Sequence, residues 1–207
     1  MAFEFIFSWI SKLFGKRKEI SLGLYGAPNA GKTTLANRIC MDFLGEPMGV
    51  ASEIPHETRA VQKKEKVEMK VDGKRLTMNL LDMPGIANKV DYRAFLRFGL
   101  NKKKSQERSR EAAQGIIEAM KWLEHVDAAL VVLDASEDPQ SQANLAILGN
   151  LEAMNIPAIL VANKMDLKKA DSVRIRGTFP GYSVVEVSAL EGTYIDKLYE
   201  TICRELS

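Results

Sequence analysis

The sequence predicts an α/β fold with helices on both faces of a mixed, mostly parallel sheet of about six strands. Short apolar runs of strand length alternate with stretches of helical periodicity along the whole chain. Two of those runs, Ala128 to Leu133 and Ala158 to Ala162, are apolar without interruption, as parallel strands covered on both faces require. Asp72-Gly73 lies between two extended segments and signals one early antiparallel hairpin.

The elements follow in order. Ile20 to Tyr25 is the first strand, and Thr33 to Met41 reads as the helix after it. A loop from Leu44 to His56 carries Gly45, Pro47, Gly49 and Pro55, which break both helix and strand. Glu57 to Val71 is extended, and the hairpin leads from it into a strand at Leu76 to Leu81. Helical periodicity fills Ser109 to Leu123, Pro139 to Met154 and Tyr194 to Leu206, while Val184 to Val187 is a last short strand. There is no internal repeat and no low-complexity linker.

Bulk properties narrow the function classes. The 207 residues suit one domain with a sizeable core. With 29 basic and 27 acidic residues the formal charge is +2, so the whole molecule is not a polycation. Cys40 and Cys203, the only cysteines, fall in helical segments and read as two buried thiols. With His56 and His125 they lack the short spacing of a zinc site. No apolar stretch reaches 18 residues, and the N-terminus lacks the order of a signal peptide, so the expected location is the cytoplasm.

Residues 26 to 33 read Gly-Ala-Pro-Asn-Ala-Gly-Lys-Thr, the pattern G-x-x-x-x-G-K-[ST] on a strand-to-helix turn. Gly26 and Gly31 let the backbone curl, so that successive N–H groups through Asn29, Ala30, Gly31, Lys32, Thr33 and Thr34 can cradle a phosphate chain. Lys32 supplies a charge for the β- and γ-phosphates, and the Thr33 hydroxyl is a Mg²⁺ ligand. Ligands of doubly wound sheets sit at the carboxyl ends of the strands, so the loops leaving those ends come next. Asp82-Met83-Pro84-Gly85 follows the third strand; Asp82 can hold Mg²⁺ directly or through water, and the Gly85 N–H can approach a γ-phosphate. Asn163-Lys164-Met165-Asp166 follows the strand at Ala158 to Ala162. An Asp166 carboxylate accepting from the ring N–H and exocyclic amine of guanine would lose both donors to adenine, at a cost of several kcal/mol. The Lys164 stem can cover the base face, and Asn163 can brace the loops. After the last strand, Ser188-Ala189-Leu190 could reach the base edge, with the Ala189 N–H donating to the guanine carbonyl.

These segments in this order resemble the five motifs of the Ras-like GTPase superfamily, and the phosphate loop with Asp-Met-Pro-Gly makes the chain most similar to the Era-like group. The resemblance covers roughly Lys18 to Ser207. It implies a P-loop NTPase G-domain fold over residues 19–207, GTP and GDP as ligands, Mg²⁺ as cofactor and hydrolysis of GTP as a molecular switch. It also implies a G domain without the C-terminal KH domain that Era carries for RNA. The family needs a threonine in its first switch to ligate Mg²⁺ and sense the γ-phosphate, and Thr58 takes that place, with Ser52 the weaker candidate. Lys32, Thr58, Asp82 and Gly85 are then the catalytic set, and Thr33, Thr58 and Asp82 the Mg²⁺ ligands. Ras-like proteins position the attacking water with a Gln where this chain has Ile86, which predicts slow intrinsic hydrolysis and keeps open a GTP-occupied adaptor that hydrolyses negligibly. Several Era-like members with Asn at the position of Asn29 bind K⁺ beside the phosphates. Asn29 is accordingly a candidate K⁺ ligand, the alternative being a polar loop residue that makes only backbone hydrogen bonds. Similar proteins can dimerise across their G domains, which the resemblance allows here without requiring it.

Two segments lie outside the common core. Residues 2–14 place polar residues at 4, 8, 11 and 12 and leave a broad apolar face, with Lys16-Arg17-Lys18 following; residues 1–18 read as an amphipathic helix and basic linker. That suits a helix in a membrane interface, or equally one docked on the domain or in a dimer seam. From Asp91 to Arg110 the chain carries Arg93, Arg97, Lys102, Lys103, Lys104, Arg108 and Arg110 against Asp91 and Glu107. Such a run is either a solvated face or a contact with RNA or an acidic protein partner.

Overall fold

A computed structural model describes residues 19–49, 60–86, 103, 113–114 and 116–207. Thr58, Ser52, residues 2–18 and the segment from Asp91 to Arg110, Lys103 excepted, lie outside the described residues. Six strands form one sheet: β1 (Ile20–Tyr25), β2 (Gln62–Val71), β3 (Lys74–Asp82), β4 (Ala128–Asp134), β5 (Ala158–Asn163) and β6 (Ser183–Glu186), in the order β2-β3-β1-β4-β5-β6. Only β2 with β3 is antiparallel; the other four pairings are parallel. The helices are α1 (Lys32–Leu44), α2 (Gln142–Ala153), α3 (Ser172–Thr178) and α4 (Ile195–Leu206). Residues 116–121 are also helical and run into the 3₁₀ turn Trp122–His125.

Strand alternation divides the core in two. Ile20, Leu22 and Leu24 of β1 and Ala128, Leu130 and Val132 of β4 point to one face, where α1 and α4 bury Leu35, Ile39, Leu198 and Ile202. Tyr25, Ala129, Val131 and Leu133 point to the other, against Ala119, Leu123, Ile147 and Leu151. Both faces of β4 and β5 are covered, which is why those strands are apolar throughout. Both cysteines are buried free thiols on the α1 and α4 side.

Local chemistry sets the ends. The hairpin turns at Asp72 (φ 49°) and Gly73 (φ 77°), and α1 stops at Gly45, whose N–H donates to the Met41 carbonyl from a left-handed conformation. The helix expected from Pro139 begins only at Gln142, because Ser141 caps it and accepts from the Asn144 N–H. Tyr194 is not the first helical residue but the left-handed N-cap of α4. The last strand ends at Glu186 rather than Val187, although the Val187 N–H still donates to the Ala162 carbonyl at 2.9 Å. Helix α3, seven residues capped by Asp171, escaped the periodicity because two turns are too short to show it. At the sheet edge, β2 presents exposed Lys63, Glu65, Lys66, Glu68 and Lys70 and is bulged between Lys64 and Val67, features that discourage strand addition.

Candidate functional site

The loop after β1 is shaped by two glycines. Gly26 has φ 152°, and a Cβ there would lie 2.3 Å from the Val132 carbonyl oxygen of β4. Gly31 has φ 95°, and a Cβ there would lie 2.2 Å from Asn163 Nδ2. Neither position has space for a side chain. Gly31 is the N-cap of α1, whose first turn carries no acidic residue, so its N–H groups and dipole favour an anion.

Lys32 is buried, and its Nζ donates to the Ala27 carbonyl at 2.9 Å. Burial pulls this ammonium down to about 8, against the opposing pull of Asp82. Thr33 Oγ1 donates to Asp82 Oδ2 at 2.6 Å. Asp82 is itself fully buried at the end of β3, in register with Leu24 of β1. A hydroxyl and a carboxylate so placed are hard-oxygen donors, and Mg²⁺ ordinarily completes its octahedron with waters and substrate phosphates. The donor set therefore fits Mg²⁺. Among the described residues no group of three or more His, Cys, Asp or Glu could hold another metal.

The loop after β3 is pressed against the phosphate loop. A Cβ on Gly85 would meet Pro28 Cα at 2.8 Å, and the Ile86 N–H donates to the Gly26 carbonyl at 3.1 Å. The Ile86 side chain is buried in the cluster that holds Tyr25 and Met83, so it is a packing residue.

Asn163 joins this half of the site to the other. Its Nδ2 donates to the Ala30 carbonyl at 2.8 Å, and its Oδ1 accepts from the Ala189 N–H at 3.0 Å. The Ala189 N–H, expected to face a guanine carbonyl, is thus engaged by Asn163. Lys164 has φ 65°, and its Nζ lies 2.6 Å from Asp134 Oδ2. The Asp166 side chain, exposed to solvent, accepts from Ser188 Oγ at 2.5 Å. Leu190 is exposed, and its carbonyl accepts from Arg38 Nη2 of α1 at 3.0 Å. Asn29 is exposed on the phosphate loop at φ 60°, and Thr34 lies in the first turn of α1.

Lys32, Thr33, Asp82, Gly85, Asn163, Asp166, Ser188 and Ala189 are therefore gathered at the carboxyl edge of the sheet, from four loops. The residues alone did not single out Pro28, Arg38 or Asp134, and they placed Ser188 at the base edge without its bond to Asp166. For Asp134 a signal existed: like Asp82 and Asn163, it is the polar residue that ends an apolar strand.

A glycine-shaped phosphate cradle, an acid ending β3 and an Asn-Lys-x-Asp loop on a doubly wound sheet define a P-loop nucleotide-binding domain of the G-domain class. More particularly, the chain belongs to the 50S ribosome-binding GTPase family, whose model matches residues 21–164. It is 30% identical over 183 residues to the tRNA modification GTPase MnmE of Heliobacterium modesticaldum, covering 87% of this chain and 33% of that protein. It is 31% identical over 186 residues to GTPase Era of Geobacter sp., covering 87% of this chain and 53% of that protein. The chain thus spans a third to a half of these curated relatives. Among solved structures, Aquifex aeolicus Era bound to GDP and aluminium fluoride superposes with a TM-score of 0.69 at 24% identity, over 92% of this chain and 58% of that one. The FeoB G domain of Methanococcus jannaschii gives 0.56 at 22% identity, over 92% and 99%. At these identities the likeness is one of fold.

Asn163→Ala would leave the Ala30 carbonyl and the buried Ala189 N–H without their partner, and should cost about 2–4 kcal/mol of unfolding free energy. Urea unfolding of the ligand-free protein measures this, with the exposed Leu190→Ala expected to stay within about 0.5 kcal/mol of wild type.

Proposed function

We propose that this chain is a Mg²⁺-dependent switch that binds GTP and hydrolyses it slowly to GDP and phosphate. The carrying observation is Asn163, which starts the Asp166 loop and ties it to the phosphate loop at the Ala30 carbonyl and to the Ser188 loop at the Ala189 N–H. Residues 19–207 form the G domain, and residues 1–18 an appended segment.

In this reading Lys32 leaves the Ala27 carbonyl for the β- and γ-phosphates, and the N–H groups from Asn29 to Thr34 line the phosphate chain. Thr33 and Asp82 would hold Mg²⁺, which would supply positive charge beside the phosphoryl oxygens. Thr58 completes the set from the first switch, and the Gly85 N–H approaches the γ-phosphate. Asp166 accepts from the guanine ring N–H and amine while Ser188 Oγ holds its other edge in place. Ile86 does not position water, since its side chain is packed inside, and this also supports the second reading: a GTP-occupied adaptor with negligible turnover. Titration calorimetry with GTP, GDP and ATP in Mg²⁺ should show ATP binding at least about 100-fold weaker than GTP. Equal affinities, or none, would overturn the proposal. Phosphate release over many turnovers separates the switch from the adaptor.

Lys32 must be protonated to hold a phosphate, and in the ligand-free protein its ammonium titrates near pH 8. Because binding raises that value, raising the pH makes binding take up a proton and weakens it. From pH 7 to pH 8.5 the affinity for GDP should fall about fourfold, while Lys32→Met should bind weakly at both.

Asn29 carries the K⁺ part of the proposal: its amide oxygen is a hard neutral donor on the exposed rim of the phosphate loop. Hydrolysis is expected to run faster in KCl than in NaCl, with the difference lost in Asn29→Ala. Equal wild-type rates in the two salts would remove K⁺ from the account.

A further inference from the structure

We propose that Asp134 is a positioning residue of the guanine site, fixing the Lys164 ammonium so that the aliphatic stem stays on the face of the bound purine. This rests on the nucleotide reading above. Asp134 ends β4 directly beside Asn163, the last residue of β5, from which the base-side loop leaves. Its carboxylate is held at both oxygens: Oδ1 accepts from the Ser136 N–H at 2.9 Å and Ser136 Oγ at 2.7 Å, and Oδ2 from Lys164 Nζ at 2.6 Å. Burial alone would raise this carboxyl, but the bonds from Lys164 and Ser136 outweigh it and hold it below the usual carboxylate range. It is therefore an anion at any working pH.

Lys164 is the freer partner. Its backbone takes a left-handed conformation, φ 65°, set by the turn in which the Leu167 N–H donates to the Lys164 carbonyl at 3.0 Å. From that fixed stub a lysine stem has four rotatable bonds, and water would satisfy its ammonium as well as a carboxylate does. What picks one path for the stem is the anchor at its far end. The anchor's loop is itself clasped to the base-side loop: the Ala135 N–H donates to the Asn163 carbonyl at 2.9 Å, and the Asp171 N–H donates to the Ala135 carbonyl at 2.8 Å. The pair is partly withdrawn from solvent, with side-chain exposures of 31% for Lys164 and 17% for Asp134, so it holds more firmly than an open surface pair.

The test measures affinities of the full chain for GDP, inosine diphosphate and tripolyphosphate in wild type, Asp134→Asn, Ser136→Ala, Lys164→Ala and Asp134→Asn/Lys164→Ala. Asp134→Asn should weaken both purine diphosphates about tenfold, as expected for losing a charged hydrogen-bond partner, and leave tripolyphosphate unchanged. Ser136→Ala, which only loosens the carboxylate, should move GDP the same way by about two- to threefold. The double variant should bind GDP no more weakly than Lys164→Ala alone. Unchanged GDP affinity in both Asp134→Asn and Ser136→Ala, an equal loss on tripolyphosphate, or additive losses in the double variant would overturn the assignment. Wild type that fails to bind GDP would overturn the nucleotide reading as well, which separates the two failures.

Discussion

One side-chain amide holds the site together. Asn163 leaves β5 buried, spends its donor on the phosphate loop and its acceptor on the last loop of the sheet, and so fixes two recognition surfaces relative to each other. The contact is close enough that Gly31 can carry no Cβ. Buried polar groups satisfied at both ends are rigid, because every alternative leaves an orphan in a low-dielectric interior. In the proposed reading a nucleotide would meet two loops already tied together, and less ordering entropy would oppose binding.

Around that joint the sheet supplies geometry and the buried charges supply chemistry. Parallel pairing of β1 with β3 and β4, and of β4 with β5, brings four strand ends to one edge. Asp82, Asp134 and Asn163 each occupy the last position of their strand, where the backbone is still held by the ladder and the side chain reaches the loops at the sheet's edge. Ligand groups placed there inherit the stiffness of the sheet.

The phosphate side is electrostatically unfinished without its ligand. A buried ammonium and a buried carboxylate offset each other's desolvation, yet burial still depresses Lys32, because one anion at this depth is not enough. A polyanionic phosphate would supply the missing negative charge. The Ala27 carbonyl meets part of that demand, as a neutral acceptor weaker than a phosphate oxygen would be.

Much of this was legible in the residues themselves. The phosphate cradle shows because its glycines, lysine and threonine are adjacent in sequence, and the strands β4 and β5 show because covering both faces forces an unbroken apolar run. The Asp72-Gly73 turn shows because few residue pairs adopt two consecutive positive φ angles. The short helix α3 and the exact helix starts did not show, since capping by Asp171, Ser141 and Tyr194 is decided over two or three residues whose types also suit loops. Nor did the partners of the site residues. Lys164 to Asp134, Arg38 to the Leu190 carbonyl and Asn163 to two loops join positions 26 to 152 residues apart. Sequence alone determined which chemical groups each strand would carry to its end; the tertiary structure decided which of them meet, because only the register of neighbouring strands converts distance along the chain into distance in space.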